Sequence, residues 1–320
     1  MENKNTYLVT GAAGFVGSNL IESILNNGDK VVGLDNLATG KLENLSFIET
    51  HPHRENFQLI EGDITDISIC NESCRGVDYI LHHAALASVA ESMALPEKYE
   101  EINIGGTLNL LQAAKKAQVK RFVFASSSAI YGDSPEFPKH EALCPNPKSP
   151  YAITKLSGEY YCKLFYESFG LPTVILRYFN IFGPKQDPTS QYSAVIPLFV
   201  DAFLKGNSPK IFGDGEQTRD FVYVQNIVKA NLAACHAPAS IFGKPVNIGC
   251  GDRISINQLA HKIKALMKSP TSIQYEPPRA GDVRDSLADI TRAKSAGLID
   301  NPIGLDEGLK YTVEWFLNHK

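Results

Sequence analysis

Through the first 180 residues, short apolar runs alternate with stretches in which apolar residues recur every three or four positions. Tyr7 to Thr10, Lys30 to Asp35, Phe57 to Glu61, Val77 to His82, Arg121 to Ser126 and Thr173 to Tyr178 are rich in Val, Ile, Leu, Phe and Tyr. Such runs predict strands buried on both faces. Between the first two, Phe15, Val16, Leu20, Ile21, Ile24 and Leu25 fall on one helical face and stop before Gly28. Ile104, Leu108, Leu111 and Ala114 repeat the pattern. Consecutive βαβ units of this kind predict an α/β fold with a doubly wound parallel sheet. After residue 180, Pro184, Pro188, Pro197 and Pro209 break the chain into shorter elements. We therefore expect one domain over 1–180 and a smaller α/β domain over 181–320. Asn226 to His236 reads as a helix and Pro245 to Ile248 as a strand, so 221–249 is expected to return to the first domain. There is no repeat of 20 to 50 residues and no low-complexity stretch.

Composition narrows the partners. A chain of 320 residues with 43% hydrophobic and 21% charged residues can bury a sizeable core, which excludes toxin-like scaffolds and disordered chains. The net charge is −4 and Lys and Arg form no long run, so neither nucleic acid nor an anionic membrane surface is expected, and a small molecule is. No window approaches the roughly 20 apolar residues of a membrane span, and the polar lead-in from Met1 to Tyr7 disfavours secretion. The cysteines at 70, 74, 144, 162, 235 and 250 are too scattered for a disulfide framework and fit a reduced, cytoplasmic setting. Cys70 and Cys74 form the only close pair and lack nearby soft ligands, so no metal is expected.

Three glycines punctuate the junction of the first strand and first helix, in Thr10-Gly11-Ala12-Ala13-Gly14-Phe15-Val16-Gly17. Gly11 permits the tight turn, Gly14 admits a pyrophosphate to the backbone, and Gly17 lets the helix pack on the sheet with its N-terminal amides facing the anion. Asp35 ends the second strand 24 positions after Gly11, the interval expected of a carboxylate that accepts from ribose hydroxyls. Asn36 and Leu37 follow it rather than an Arg, so NAD is preferred over NADP. The plainer alternative is a structural turn with Asp35 as a solvated strand end. Asp63, after the third strand, is placed to reach the adenine edge or simply to end the strand.

Tyr151 and Lys155 stand four residues apart on a helix predicted to run through Phe169. A free phenol is a poor base at neutral pH, but the Lys155 cation together with an oxidised nicotinamide would lower its pKa. Ser126, Ser127 and Ser128 follow the fifth strand at the end where doubly wound folds place ligands, and a hydroxyl there can orient substrate. Taken singly, the Tyr–Lys pair also suits an ordinary amphipathic helix, and the triple serine suits a turn.

Together these motifs resemble the extended short-chain dehydrogenase/reductase family, specifically its nucleotide-sugar epimerases and dehydratases, over essentially the whole chain. The resemblance rests on the glycine turn, Asp35-Asn-Leu, His82-His-Ala-Ala85, Ser126-Ser-Ser-Ala-Ile-Tyr-Gly132 and Tyr151-x-x-x-Lys155. Further along it rests on Arg177-Tyr-Phe-Asn180, Phe212-Gly-Asp-Gly215, Thr218-Arg-Asp220 and Arg279-Ala-Gly-Asp282. It implies Ser127, Tyr151 and Lys155 as catalytic residues, with Tyr151 as acid–base and Lys155 on the cofactor ribose. It implies that NAD meets Gly11, Gly14, Phe15, Val16, Gly17, Asp35, Asn36, Asp63, Ile64, Ala84, Ala85, Asn103, Ser126, Tyr151, Lys155 and Tyr178. It implies that a UDP-sugar meets Ser88, Ser127, Ser128, Tyr151, Asn180, Ala194, Val195, Arg219, Arg279, Asp282 and Ser286. The two arginines would take the diphosphate and Asp282 the uridine ribose. A homodimer is implied as well, with the helices around Ile104 to Ala117 and Ser149 to Phe169 as candidate interface.

Related 4,6-dehydratases carry an Asp–Glu pair at the positions of Ser128 and Ala129, and decarboxylases carry Glu at the latter. Alanine transfers no proton, which favours plain inversion at C4 through a 4-keto sugar. Small Ser286 leaves room for an N-acetyl group, pointing to UDP-GlcNAc and UDP-GalNAc, with UDP-glucose and UDP-galactose as a second pair. A uronate epimerase, a decarboxylase, a dehydratase and a non-enzymatic NAD-binding or RNA-associated protein remain the alternatives at this point.

Overall fold

The computed structural model describes residues 4–188, 194–278 and 284–319. Seven strands, β1 (Thr6–Thr10), β2 (Lys30–Asp35), β3 (Phe57–Glu61), β4 (Tyr79–His82), β5 (Arg121–Ser127), β6 (Thr173–Tyr178) and, from far downstream, β11 (Pro245–Ile248), form one sheet. Their order is β11-β6-β5-β4-β1-β2-β3 and every pairing is parallel. The chain order reverses between β1 and β4, which makes the C-terminal edge there the crevice where open α/β sheets bind ligands. Register keeps that edge even: Thr10 pairs with Leu34 and His82, and Ser127 pairs with Tyr178.

Alternation along the strands divides the core in two. Tyr7, Val9, Val123, Ala125, Val174 and Leu176 face one helical layer, which includes α1 (Phe15–Asn26) and α8 (Val224–Cys235). Leu8, Phe122, Phe124 and Ile175 face the other, formed by α2 (Ile67–Ser73), α5 (Gly106–Ala117) and α6 (Pro150–Phe169). The short helices α3 (Val89–Ala94) and α4 (Pro96–Tyr99) lead through a π-turn, Glu100–Gly105, into α5. A third cluster lies in the C-terminal part. There α7 (Val195–Leu204), α9 (Ile256–Leu266) and α11 (Leu305–Asn318) pack with the strands β7 (Asn180–Phe182), β8 (Lys210–Phe212) and β10 (Phe221–Tyr223). Two further two-stranded pairings involve β9 (Thr218–Arg219) with β12 (Ile254–Ser255), and β13 (Gln274–Glu276) with β8. A small helix, α10 (Thr291–Ser295), precedes α11.

Several boundaries differ from the sequence expectation, β1 beginning at Thr6 rather than Tyr7 and β5 running on to Ser127 rather than Ser126. The fourth strand begins at Tyr79 rather than Val77, because Val77 closes a turn onto Cys74 while the Asp78 carboxylate accepts from the Thr6 amide. The α8 helix starts two residues early, at Val224. No helix among the described residues is long and apolar enough to cross a membrane, and no cluster of His, Cys, Asp or Glu among them could hold a metal ion.

Candidate active site

The glycine turn is built by backbone contact. Gly11 sits at φ +70°, and a Cβ on Gly17 would stand 2.0 Å from the Gly11 carbonyl oxygen, so α1 can begin here only without a side chain. Thr10 Oγ1 accepts from the amides of His83 (3.1 Å) and Ala84 (3.0 Å), which draws the Ala84–Ala85 segment against the turn. No side chain caps the start of α1 at Gly14. Phe15 reaches toward the C-terminal cluster, and Val16 packs on the sheet core.

Asp35 is buried at the end of β2, one oxygen accepting from the Ala13 amide (2.9 Å) and the other from Leu37 (2.8 Å). An ionised carboxylate has about four acceptor sites, so it retains capacity for a ribose diol. A side-chain-free cradle at an uncapped helix start, with a buried carboxylate beside it, fits NAD. Asn36 and Asp63 meet each other, Nδ2 donating to Oδ2 at 2.6 Å. Burial works to raise the Asp63 carboxyl, but hydrogen bonds from Thr65 and Asn36 outweigh it and hold it below its ordinary value. Ile64 is a core side chain.

Ser127 ends β5 and caps the single turn Ser128–Tyr131, its hydroxyl accepting from the Ala129 amide at 3.1 Å. Across the cleft, Pro150 opens α6 and the Ser149 hydroxyl accepts from the Ala152 amide, which sets Tyr151 in the first turn. The Ser127 hydroxyl lies near enough to the Tyr151 phenol to lower it. Lys155 follows one turn on, buried, its Nζ 6.0 Å from the Tyr151 ring centroid and donating to the Ala125 carbonyl at 2.9 Å. Sequence, turn and strand therefore place the three candidate catalytic side chains together.

Burial dominates the electrostatics of the Tyr151–Lys155 pair. Burial pushes the Tyr151 phenol above its ordinary value and the Ser127 hydroxyl pulls it part of the way back, with no lowering from Lys155. Lys155 itself is lowered to about 8 by burial. The ammonium is engaged by a backbone carbonyl rather than by the phenol, so Lys155 by itself does not bring Tyr151 into the neutral range.

Several expected contacts are turned elsewhere. Ser126 alternates to the opposite side of β5 and donates to Glu159, so its hydroxyl faces the core. Asn103 is buried, bonded to both backbone polar groups of Leu86 and to the Thr154 hydroxyl, which braces the loop after β4 against α6. The Ser88 hydroxyl caps α3 through the Glu91 amide. Tyr178 bonds to Asn231 and to His83, on whose ring it stacks.

In the C-terminal part, Asn180, Ala194, Val195 and Arg219 line one cavity of about 320 Å³. Its floor includes Phe182, Phe199, Phe212 and Phe221, and Gln217 adds a polar group. Asn180 donates through both its amide (3.1 Å) and Nδ2 (3.2 Å) to the Asp220 carbonyl, and Arg219 Nη1 donates to the carbonyls of Thr218 (2.9 Å) and Arg284 (3.3 Å). Ser286 is fastened next to Arg219 by its amide, which donates to Thr218 O at 3.1 Å. Arg279 and Asp282 lie outside the described residues.

Asp220 was not singled out as a site residue. It is fully buried and accepts from the amides of Cys250 (2.8 Å), Gly251 (3.0 Å) and Ala288 (3.1 Å), joining the end of β11 to the strand carrying Arg219. Burial raises its carboxyl to about 6 against those hydrogen bonds. An acid closing a Thr-Arg-Asp run before an apolar strand was the available signal.

A seven-stranded parallel sheet with a glycine-turn dinucleotide cradle and a Ser–Tyr–Lys cluster at its C-terminal edge defines a Rossmann-type, nucleotide-cofactor protein. The chain belongs to the NAD dependent epimerase/dehydratase family, which it matches over residues 7–249. It is similar to a UDP-N-acetylglucosamine 4-epimerase from Methanobrevibacter ruminantium, solved in complex with UDP-N-acetylmuramic acid, at 41% identity and a TM-score of 0.93, covering 100% of both chains. A UDP-glucose 4-epimerase from Thermotoga maritima, solved with UDP-glucose, is 40% identical with a TM-score of 0.91, covering 98% of this chain and 99% of that one. The UDP-glucose 4-epimerase of Mycolicibacterium smegmatis is 37% identical over 313 residues, 97% of this chain and 98% of its own.

Proposed function

We propose that the protein is an isomerase that inverts C4 of a UDP-hexose, with UDP-GlcNAc and UDP-GalNAc as the preferred pair and UDP-glucose and UDP-galactose as the second. The observation that carries this reading is the grouping of Ser127 at the end of β5 with Tyr151 in the first turn of α6 and Lys155 one turn on, beside a cradle that fits NAD and with Ala129 where an eliminating acid would stand. NAD, when bound, supplies the hydride acceptor and donor. Tyr151 Oη accepts the proton of the sugar 4-hydroxyl and later returns one, with Ser127 Oγ holding that oxygen in line. Lys155 would hold the cofactor ribose and, together with the charge of an oxidised nicotinamide, would favour the ionised phenol. Asn180, Arg219, Arg279 and Asp282 anchor the nucleotide, so that the pyranose can present either face to the cofactor. The small side chain of Ser286 supports the N-acetylated pair, as does the likeness to the Methanobrevibacter protein.

We assign 1–180 with 221–249 to NAD binding and the remainder mainly to the UDP-sugar. The exposed apolar side chains of α6, Ile153, Tyr160 and Leu164, with Met93 on α3, support a homodimer built on those helices. On α5 the exposed side chains are the polar Gln112, Lys115 and Lys116 and the small Ala117, which weighs against that helix as the centre of the interface. The test is incubation of the purified protein with UDP-hexoses and UDP-uronates, products separated and identified. Conversion of UDP-GlcNAc to UDP-GalNAc without loss of water or carbon dioxide is expected. A 4-keto-6-deoxy sugar or a pentose as sole product overturns the reading.

A further inference from the structure

Behind the candidate site runs a chain of buried polar groups that the mechanism does not use. Glu159 lies one turn beyond Lys155 on α6 and forms a two-point ion pair with Arg177 of β6, Oε1 with Nε at 2.8 Å and Oε2 with Nη2 at 2.6 Å. Ser126, beside Ser127, donates to the same carboxylate. Arg177 Nη1 donates to the Tyr131 hydroxyl at 3.0 Å, and Tyr131 donates to Asn247 Oδ1 at 2.7 Å. Asn247 on β11 in turn donates to the carbonyls of Lys139 (2.8 Å) and Asp289 (3.2 Å). Ser126, Tyr131, Glu159, Arg177 and Asn247 are each 5% exposed or less.

The endpoints give the chain its meaning. Tyr131 closes the turn that Ser127 opens, Glu159 sits on the helix of Tyr151 and Lys155, and Asp289 lies three residues beyond Ser286. Three separate elements that must agree on where a sugar sits are thus fastened to one guanidinium and one phenol. A buried pair is weak evidence of stability for its own sake, since apolar residues of similar volume often serve as well, so its use here points to register. Displacement of a reacting group by about 1 Å can cost on the order of 100-fold in rate.

We propose that Glu159, Arg177 and Tyr131 are positioning residues that set the Ser127–Tyr151 separation and tie it to the segment carrying Ser286. The proposal rests on the epimerase reading, and the experiment separates the two. Glu159→Gln strands a buried guanidinium and can fail to fold. Tyr131→Phe removes a single oxygen and is the decisive variant, measured beside wild type on UDP-GlcNAc and UDP-glucose. Wild type inactive on both sinks the epimerase reading itself. With wild type active, Tyr131→Phe is expected to lower kcat by about 10- to 100-fold, with KM and the NAD content within twofold. Its acid limb of kcat against pH is expected to move upward, because the Ser127 hydroxyl that pulls the Tyr151 phenol down is displaced from it. A kcat within twofold of wild type, or a loss carried by KM or by NAD content with an unmoved pH profile, overturns the proposal.

Discussion

The glycine turn at the β1–β2 edge and the cavity between β7 and β9 hold their proposed ligands by different means. At the first, the backbone itself is the fitting: Gly17 touches the Gly11 carbonyl so closely that no Cβ is accommodated, and a single carboxylate, Asp35, adds the side-chain chemistry. At the second, the polar fittings Asn180 and Arg219 stand on strands only two or three residues long and are tethered to neighbouring carbonyls, while the buried Asp220 carboxylate ties the adjoining segments together. The lesson is that the cofactor side fails when something is added and the sugar side fails when something is removed. The Ser127–Tyr151–Lys155 cluster lies at the sheet edge between them and should fail independently of both.

The largest effect falls on that middle. Tyr151→Phe is expected to lower kcat for epimerisation by about 1,000-fold, about 4 kcal/mol of barrier. NAD content and nucleotide affinity by calorimetry should stay unchanged; a rate within tenfold of wild type removes Tyr151 from proton transfer. Next, Asp220→Asn replaces an acceptor of three amides by a group that can accept on one side only. We expect a loss of about 2–4 kcal/mol in denaturant unfolding and weakened UDP binding, with NAD still bound. Gly17→Ala is the counterpart, with about 1–3 kcal/mol lost to overpacking and NAD released while UDP binding survives. If both variants lose both ligands together, the two regions are one unit and the contrast is void.

The smallest effect is in pH. The Lys155 ammonium is lowered to about 8 from the ordinary 10.5, so between those values the folded state carries fewer protons than the unfolded and stability from this group rises with pH. Asp220 is raised to about 6 from 3.8, so across that lower window the folded state carries more protons and stability falls as pH rises. Lys155→Met should therefore be more stable than wild type at pH 7, and the gap should narrow by on the order of 1 kcal/mol by pH 9.5. A gap constant with pH in denaturant melts contradicts a buried, charged Lys155.

The same contrast explains what was legible in the sequence. Strands such as Lys30–Asp35, Phe57–Glu61, Thr173–Tyr178 and Pro245–Ile248 match their expected bounds because each is a short, largely apolar run bounded by turn chemistry. The glycine turn was readable because its requirement is steric and local. The direction of the Ser126 hydroxyl was not, since alternation turns it from Ser127 toward a glutamate 33 residues away. Nor was the engagement of Asn103 by Leu86 and Thr154, which depends on a π-turn meeting α6. In the C-terminal part, strands of two or three residues carry too little periodicity to be seen, and Asp220 gains its role only when β11 and Ala288 arrive.

The central claim is that Tyr151 and Ser127 move only the oxygen-bound proton while the hydrogen on carbon 4 never meets solvent. Deuterium at C4 of UDP-GlcNAc, followed by mass spectrometry and NMR through many turnovers in ordinary water, tests it most directly. The account predicts full retention of the label at C4 in both epimers; loss of deuterium to water in step with conversion would contradict it.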